Sequence, residues 1–385
     1  MLVNSRETGQ QQAQYPSRAY ISRRAFEHNL ARARELAGDA EIMAVVKADA
    51  YGHGGSVIAS WALDAGVNWL MAAQLAEALA LREALGERGH ILALIFEPGA
   101  DLEQAIAQNI DINVGTLWAL DQVMQAARAV GQPARIHVEI DTGMARGGVR
   151  EAQVAEFARE LRAAADSGAV QVIGVWSHLA CADDLESPVT NQQLEIFERV
   201  LKEIRANGIQ PQFVHIAASA GLLWHPKAHY SMVRPGIMLY GLSPNPDVAT
   251  AQELGLEAVM RLEAPLISVR DVPAGTPVSY GHTAHTPKDM RLGTVPVGYA
   301  DGIPRAASNS AQVLVGSERQ VIMGRVCMDQ FVVAALEASA GDRVVLFGGP
   351  ETGAPSADEW AQKCETIGYE IVTRIGVRVP REYEE

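Results

Sequence analysis

The sequence has 385 residues, of which 46 are acidic and 32 are basic, giving a formal net charge of −14. A chain this acidic, with no cluster of Lys and Arg, is poorly suited to neutralising a phosphate backbone, which argues against a nucleic-acid-binding protein. No stretch approaches the roughly 20 consecutive apolar residues that a membrane-spanning helix needs, so we expect no membrane association. Three cysteines are too few for a disulfide framework, which favours a reducing, cytoplasmic location. Residues 1–14 are polar and Gln-rich without the apolar segment of a signal peptide, and we predict a disordered tail there.

Between residues 42 and 240, short apolar runs alternate with longer amphipathic stretches. Runs of about five apolar residues are typical of parallel strands covered on both faces. The runs are Ile42–Val46, Trp69–Ala73, Ile91–Ile95, Ile110–Val114, Ile136–Ile140, Val172–Trp176, Phe213–Ile216 and Gly236–Tyr240. Eight repeats suffice to close a (β/α)8 barrel, which favours that fold over an open doubly wound sheet, the main alternative.

The stretches between these runs have apolar residues at helical spacing, and several end at a glycine suited to a helix C-cap. The predicted helices are Gln74–Leu85, Leu117–Val130, Glu151–Ala165 and Asn191–Asn207, and an amphipathic segment at Ser22–Leu36 precedes the first run. The glycines are Gly86, Gly131 and Gly208.

Near residue 255 the pattern changes to shorter alternating strands bounded by turn residues. The predicted strands are Pro265–Arg270, Arg291–Val297, Gln312–Val315, Arg319–Val326 and Arg343–Leu346. Ser356 and Glu359 form a capping box for the one helix predicted here. We therefore predict an α/β protein with an N-terminal (β/α)8 TIM barrel at residues 15–254 and a mostly β C-terminal domain at residues 255–385.

Polar residues follow several barrel runs, at the strand ends where barrel enzymes carry their chemistry. Lys47 directly follows an apolar run, so burial would lower the pKa of its amine toward nucleophilic use, unless it only pairs with a loop carboxylate. Ser219 and Gly236 follow the last two runs, where barrels commonly hold a phosphate, although ordinary turns also use such residues. An amine nucleophile beside a phosphate site suggests pyridoxal phosphate. The histidines are scattered and no HExxH is present, so we predict no metal site.

Six motifs resemble those of the alanine racemases, which are fold-type III pyridoxal-phosphate enzymes, and the resemblance covers about residues 18–383. In chain order the motifs are AVVKADAYGHG at 44–54, IDTGM at 140–144 followed by Arg146, MVRPGIMLYG at 232–241, SYGHT at 279–283, VGYADG at 297–302 and GRVCMDQ at 324–330. The resemblance implies an isomerase that interconverts L- and D-alanine and supplies D-alanine for cell-wall peptidoglycan. A racemase of another amino acid, such as serine or a specialised non-protein one, is the alternative.

Two other classes share parts of this pattern and fit less well. A fold-type III decarboxylase needs a replaceable carboxylate where Tyr280 stands. A non-catalytic pyridoxal-phosphate carrier typically lacks the second domain and with it the motif at 279–283.

The resemblance implies a two-base mechanism. Lys47 would hold the cofactor covalently and act on one face of the substrate carbon, and Tyr280 would act on the opposite face. Arg234 would face the pyridine nitrogen and make the ring a weaker electron sink, and His178 would bridge Tyr280 and Arg234.

The remaining implied contacts concern the cofactor phosphate and the substrate carboxylate. The phosphate would be held by Tyr51, Ser219, Gly236 and Ile237, with Tyr369 as a further contact. The carboxylate would be held by Arg146 and the backbone N–H of Met328, with Asp329 ordering that loop and Tyr299 lining the access corridor. In that family, the residues that match Tyr280 and Met328 reach the cofactor of the partner protomer. The resemblance therefore also implies a head-to-tail homodimer with composite sites.

Two positions depart from the family's pattern. Glu139 stands seven residues before Arg146, where the family usually has a lysine, often carbamylated. Its shorter side chain would hold Arg146 directly, act through water, or simply replace one anion with another. Ala218 stands where the family usually places an asparagine, which removes one hydrogen-bonding side chain near the cofactor. These departures leave the preferred amino acid open.

Overall fold

The computed structural model describes residues 15–385, which form two compact units. One unit holds residues 30–50 and 55–239, and the other holds residues 15–29, 51–54 and 240–385. The tail predicted at residues 1–14 lies outside the described residues. Within residues 15–385, no helix has the length and apolar character needed to cross a membrane.

The first unit is a nearly closed barrel of parallel strands. In spatial order its strands are Met232–Val233, Glu41–Val45, Trp69–Gln74, His90–Ile95, Ile110–Val114, Ala134–Asp141, Val170–Trp176 and Phe213–His215. A short strand, Val149–Arg150, pairs beside Ala134–Asp141. The last two barrel strands in the chain meet where the N–H of Ser231 donates to Val214 O at 3.2 Å. This arrangement confirms the predicted barrel.

One predicted strand is wrong. The run Gly236–Tyr240 is not extended, because Ile237–Tyr240 form a 3-10 helix, and the eighth strand is Met232–Val233. Pro235 explains the difference, because it has no N–H to donate to a strand ladder. The run is nevertheless apolar because all four residues of the 3-10 helix are buried.

Five helices before residue 240 follow the predicted stretches closely: Arg23–Ala37, Leu75–Leu85, Leu117–Val130, Val154–Asp166 and Val189–Ala206. Three further helices, Gly55–Asp64, Glu103–Ala107 and Ser219–Trp224, and a turn at Lys47–Gly52 had no predicted range. Thr116 caps helix Leu117–Val130 by accepting from the N–H of Ala119, and Gly131 ends it at a φ of 78°. The helix predicted at 151–165 begins later, after a 3-10 turn at Glu151–Gln153.

The second unit contains a nine-stranded sheet that is antiparallel except at one edge. In spatial order its strands are Ser268–Val272, Met290–Val295, Phe331–Ala334, Glu318–Met323, Gln312–Val315, Arg343–Phe347, Met260–Pro265, Arg18–Ser22 and Arg381–Glu384. The last two pair in parallel. A small hairpin joins Pro277–Val278 to Ala284–His285. The mostly β character predicted for this part of the chain is confirmed.

Two further points correct the sequence prediction in this unit. The strand predicted at Pro265–Arg270 is two strands, because the N–H of Leu266 donates to Asp342 O and that of Ile267 to Thr294 O, so the chain changes neighbours there. A second helix, Gly368–Thr373, follows the predicted one at Ala357–Lys363. The capping box of the first is present: Ser356 Oγ accepts from the N–H of Glu359, and Glu359 Oε2 accepts from the N–H of Ser356.

Short 3-10 turns complete the described chain. They are Glu151–Gln153, Pro226–Ala228, Ile237–Tyr240, Tyr280–His282, Tyr299–Asp301, Arg305–Ala307 and Pro350–Thr352. The cysteines Cys181, Cys327 and Cys364 are free thiols.

Candidate active site

Lys47 stands at the carboxyl end of the first barrel strand, at the start of a left-handed helical turn. Residues 48–51 have φ between 52° and 54°, and Gly52 has a φ of 81°. A non-glycine residue in this conformation costs about 1–2 kcal/mol, so the surroundings must hold the turn in place. The N–H of Ala48 donates to Glu77 Oε1 at 2.7 Å, and the N–H of Ala50 donates to Val46 O at 2.9 Å. Backbone strain of this kind concentrates at functional sites.

The Lys47 amine lies in a cationic, largely buried place. Burial lowers its pKa from the usual value, and the positive charges of Arg146 and Arg234 lower it further, against the opposing effect of Glu77. A lysine of lowered pKa is more often the neutral amine, the form that can act as a nucleophile or a base. Lys47, Arg146 and Glu139 line one cavity of about 440 Å³ whose other walls include Phe96 and Trp118.

Glu139 has Asn113 as its direct partner. Asn113 Nδ2 donates to Glu139 Oε2 at 2.8 Å and to Leu94 O at 3.2 Å, and Asn113 Oδ1 accepts from Trp176 Nε1 at 2.9 Å. Burial raises the pKa of Glu139, while the Asn113 hydrogen bond and the charges of Arg146 and Arg234 act in the opposite direction. Within the described chain, Arg146 forms no ion pair with any carboxylate. Glu139 therefore acts on Arg146 through space and not by direct contact.

Arg234 lies in the barrel interior and is only 2% exposed. Its Nη2 donates to Ser177 O at 2.8 Å and Ile216 O at 3.1 Å and lies 3.3 Å from His178 Nδ1. Its guanidinium sits 4.9 Å from the ring centre of Trp176. Burial lowers the pKa of Arg234 to about 9, with Glu139 opposing and Arg146 adding to the decrease. Arg234 thus keeps its charge at neutral pH.

His178 is a neutral hydrogen-bond acceptor toward Arg234. Burial lowers its pKa to about 3, assisted by the positive charges of Arg234, Arg146 and Lys47. Because a guanidinium only donates, His178 Nδ1 must accept, and the proton of the imidazole lies on Nε2.

Ser219 and Gly236 meet where the last two barrel strands end. The N–H of Gly236 donates to Ser219 Oγ at 2.9 Å, and the N–H of Met238 approaches the same oxygen at 3.4 Å. Ile237 begins a 3-10 helix, so its N–H has no acceptor within that helix. Ala218 precedes helix Ser219–Trp224 and offers it no side-chain cap. Several N–H donors therefore gather around one buried hydroxyl, a setting that suits an anion.

In the second unit, Tyr51 and Tyr369 lie near each other, with ring centres 6.2 Å apart. Tyr51 also packs against Tyr240, with ring centres 4.7 Å apart. Burial raises the pKa of Tyr51, and Tyr369 adds to the increase. Tyr51 is therefore a protonated phenol that can donate a hydrogen bond.

Tyr280, Met328 and Tyr299 are exposed in this unit, by 72%, 54% and 41%. Tyr280 stands in a 3-10 turn between Ser279 and Gly281, which have φ of 61° and 71°. Ser279 Oγ holds this turn by donating to Arg325 O at 2.6 Å. So the tyrosine ring is presented outward on a fixed backbone.

The loop that carries Met328 is tied to the one that carries Tyr299. The N–H of Ala300 donates to Met328 O at 2.9 Å, and Arg378 links Asp329 at 2.8 Å to Asp301 at 3.3 Å. Among residues 15–385, none accepts from the N–H of Met328. That donor is available to a ligand.

Sequence reasoning missed Asp111, Asn113, His137 and His215, which all lie inside the barrel. Each is a polar residue within or beside an apolar run, and Asp111 and Asn113, like His137 and Glu139, are two positions apart. Residues two apart on a strand face the same side, so this spacing was the available signal. Arg378 was also missed, and nothing in the sequence marks it.

No group of three or more His, Cys, Asp or Glu side chains able to hold a metal ion is found in residues 15–385.

The lysine-bearing barrel and the β domain agree with the class of amino-acid racemases that the sequence motifs resemble. The chain belongs to the alanine racemase family, since residues 21–244 match the model of the alanine racemase N-terminal domain and residues 259–383 that of the C-terminal domain. It is 48% identical over 370 residues to the alanine racemase of Beutenbergia cavernae, covering 95% of this chain and 97% of the relative. It is 46% identical over 367 residues to the alanine racemase of Thermobifida fusca, covering 95% of this chain and 97% of that relative.

Solved structures agree with this assignment. The crystal structure of alanine racemase from D-cycloserine-producing Streptomyces lavendulae is similar with a TM-score of 0.94 and 45% identity, covering 96% of this chain and 97% of that one. The alanine racemase of Bartonella henselae, solved with covalently bound pyridoxal phosphate, is similar with a TM-score of 0.85 and 29% identity, covering 96% and 99%.

Proposed function

We propose that this racemase uses pyridoxal phosphate to interconvert L- and D-alanine by a two-base mechanism, and that it supplies D-alanine for peptidoglycan in the cytoplasm. The observation that carries the proposal is the partly buried Lys47 amine at a barrel strand end, whose neutral form is favoured by burial and by the charges of Arg146 and Arg234. Relatives 45–48% identical over at least 90% of this chain carry the name alanine racemase.

The residues of the site fit the cofactor. Both Nη nitrogens of Arg234 have protein acceptors, whereas no residue in 15–385 accepts from its Nε–H, which leaves one donor for a ring nitrogen. A phosphate would be held by Ser219, by the N–H groups of Gly236 and Ile237, and by the hydroxyl groups of Tyr51 and Tyr369. Lys47 would carry the cofactor aldehyde. When bound, pyridoxal phosphate supplies an electron sink that eases removal of the substrate's α-proton.

The chain's own residues then move that proton. The neutral Lys47 amine takes or returns it on one face of the α-carbon, and Tyr280 of the partner subunit does so on the other, which inverts the configuration. His178 accepts from Arg234 through Nδ1 and so directs its Nε2–H toward the phenol oxygen, where a hydrogen bond stabilises the phenolate.

The substrate carboxylate is held by Arg146 and by the N–H of Met328. Arg146 has no carboxylate partner within the described chain, so its guanidinium is available to a ligand. The Asp329–Arg378–Asp301 linkage keeps the Met328 loop in place, and Tyr299 borders the access corridor.

A head-to-tail homodimer follows from the division of these residues. We place the cofactor in the domain of residues 15–254 and assign Tyr280 and Met328, from the domain of residues 255–385, to the partner's site. The high exposure of Tyr280, Met328 and Tyr299 supports this assignment, because a partner that covers them would remove large, largely apolar side chains from water.

A racemase of another amino acid is the second candidate, favoured by one observation. The cavity that Lys47 and Arg146 share has apolar walls that include Leu94, Phe96 and Trp118. Such walls would favour a substrate side chain larger than a methyl group.

Exchange of the α-proton with D2O tests the proposal. We expect both enantiomers of alanine to gain α-deuterium faster than serine or larger amino acids, and Lys47→Ala to abolish the exchange. Faster exchange of another amino acid would favour the second candidate. No exchange in any amino acid would contradict both.

A further inference from the structure

A line of hydrogen bonds crosses the inside of the barrel through four buried polar side chains. They are Arg234, His215, His137 and Asp111, each no more than 2% exposed. Arg234 Nη1 lies 2.9 Å from His215 Nδ1, His215 Nε2 lies 2.9 Å from His137 Nδ1, and His137 Nε2 lies 3.2 Å from Asp111 Oδ2. Only Arg234 among them was assigned a role above.

The chemistry of the two ends fixes the direction of every bond in this line. A guanidinium has no lone pair to accept with, so His215 accepts at Nδ1 and carries its proton on Nε2. That proton is donated to His137 Nδ1, so His137 carries its own proton on Nε2 and donates it to Asp111. A carboxylate has no hydrogen to give, so the line cannot reverse from that end either.

Asp111 is itself held by a cation. Its Oδ1 accepts from Arg135 Nε at 2.6 Å and its Oδ2 from Arg135 Nη2 at 3.2 Å. Burial lowers the pKa of His215 well below its usual value, and Arg234 and His137 add to the decrease, which keeps this imidazole neutral. The line thus has a carboxylate at one end, a guanidinium at the other and two neutral imidazoles between them.

The barrel is shaped to seat His137. A Cβ at Gly174 on the neighbouring strand would lie 2.3 Å from His137 Nδ1, a distance that displaces the ring. The strand pairing also shifts register between Ile136 and His137. Both features give the imidazole a single position in line with His215.

We propose that Asp111, His137 and His215 are positioning residues that hold Arg234 as a fixed donor toward the cofactor ring nitrogen. The inference rests on the proposed function. Held in this way, Arg234 would keep the ring nitrogen of a bound cofactor unprotonated, which would favour return of the proton to the substrate carbon. With the donor loosened, protonation of the cofactor would compete. The amino group would then stay on the cofactor, and water would supply the oxygen with which alanine leaves as pyruvate.

Neutron diffraction from crystals of the deuterated protein tests the bond directions without turnover. We expect deuterium on Nε2 and none on Nδ1 of both His215 and His137, and none on Asp111. A deuterium on Nδ1 of His215 would overturn the proposal, because that nitrogen would then be unable to accept from Arg234.

His137→Phe tests the effect on chemistry, since it keeps a ring of similar size and removes both nitrogens. We expect pyruvate formed per racemisation event to rise about ten-fold, the scale of one hydrogen bond to a charged group. The matched control is His229→Phe, because His229 Nε2 lies 3.0 Å from Leu222 O and bonds to no member of the line. Its ratio should stay within about two-fold of the parent's, since no hydrogen bond of the line is removed.

Asp111 and Gly174 supply independent variants. Asp111→Leu removes the terminal acceptor, whereas Asp111→Asn keeps an oxygen that can accept from His137 Nε2, so Asn should restore most of the parent's ratio. Gly174→Ala displaces His137 without removing any polar group and should reproduce the His137→Phe result. A parent-like ratio in folded His137→Phe and Gly174→Ala proteins would overturn the inference.

The two proposals fail in different ways. If the parent racemises no amino acid, the proposed function fails, and the neutron positions still decide the direction of the line. If the parent racemises alanine and the variants leave the pyruvate ratio unchanged, only the positioning role fails.

Discussion

Glu139 is expected to couple to Asn113 and only weakly to Arg146, and a double-mutant cycle can measure both couplings. Asn113→Leu and Glu139→Met each remove polar atoms while keeping similar volume. The bond between Asn113 Nδ2 and Glu139 Oε2 is 2.8 Å long and lies largely out of solvent. A hydrogen bond to a charged group contributes about 1.5–3 kcal/mol, so we expect a coupling near 2 kcal/mol for this pair.

Thermal unfolding at fixed protein and cofactor concentration gives the readout. For a unit of this size, about 1 kcal/mol corresponds to a change in Tm of roughly 2–4 °C, so the double variant should melt roughly 4–8 °C above the additive expectation. The comparison cycle pairs Glu139→Met with Arg146→Leu, and its coupling should stay below about 1 kcal/mol, as for charges that make no direct contact. A coupling to Arg146 larger than that to Asn113 would refute this account of Glu139.

Three further predictions follow from single contacts. Borohydride reduction followed by peptide mapping should label the peptide that contains Lys47, and label on any other lysine would contradict its role as cofactor carrier. Burial raises the pKa of Glu139 above its unfolded value of 4.5, so the folded protein binds this proton more tightly than the unfolded chain does. The parent therefore loses stability as the pH rises from 4.5 through the folded pKa. Glu139→Gln lacks this loss, and its Tm advantage should grow across that window and then level off; a constant difference from pH 4 to 8 would argue against it. Ser356→Ala removes a helix cap and should lower stability by about 1 kcal/mol, whereas an unchanged Tm would mean that Glu359 alone holds the helix end.

The position of Lys47 could be predicted from sequence because it depends on one local fact, that a buried strand ends shortly before it, at Val45. The same reasoning failed at Gly236–Tyr240, where an apolar run showed burial but not conformation, and Pro235 decided against a strand. The Asn113–Glu139 bond was out of reach because it depends on the register of neighbouring barrel strands. The position of His137 was also out of reach, because it depends on the register shift between Ile136 and His137 and on the missing side chain at Gly174.

The roles of Tyr280 and Met328 came from family resemblance and not from local pattern. Nothing near either residue in the sequence indicates that it belongs to the site of a second protomer. What the structure adds is their exposure, together with the Arg378–Asp329 contact that keeps the Met328 loop in place. A composite site therefore stays a prediction that needs its own experiment.

Mixing two inactive variants tests the composite site most directly. In a heterodimer of Lys47→Ala and Tyr280→Phe, one site would contain both substitutions and the other would contain Lys47 of one subunit and Tyr280 of the other, both intact. Random exchange makes half of the dimers mixed, so alanine racemisation should recover to about one quarter of the parent's rate. No recovery after subunit exchange has been verified would contradict the shared two-base site, because residues acting within one protomer leave no intact pair in any dimer.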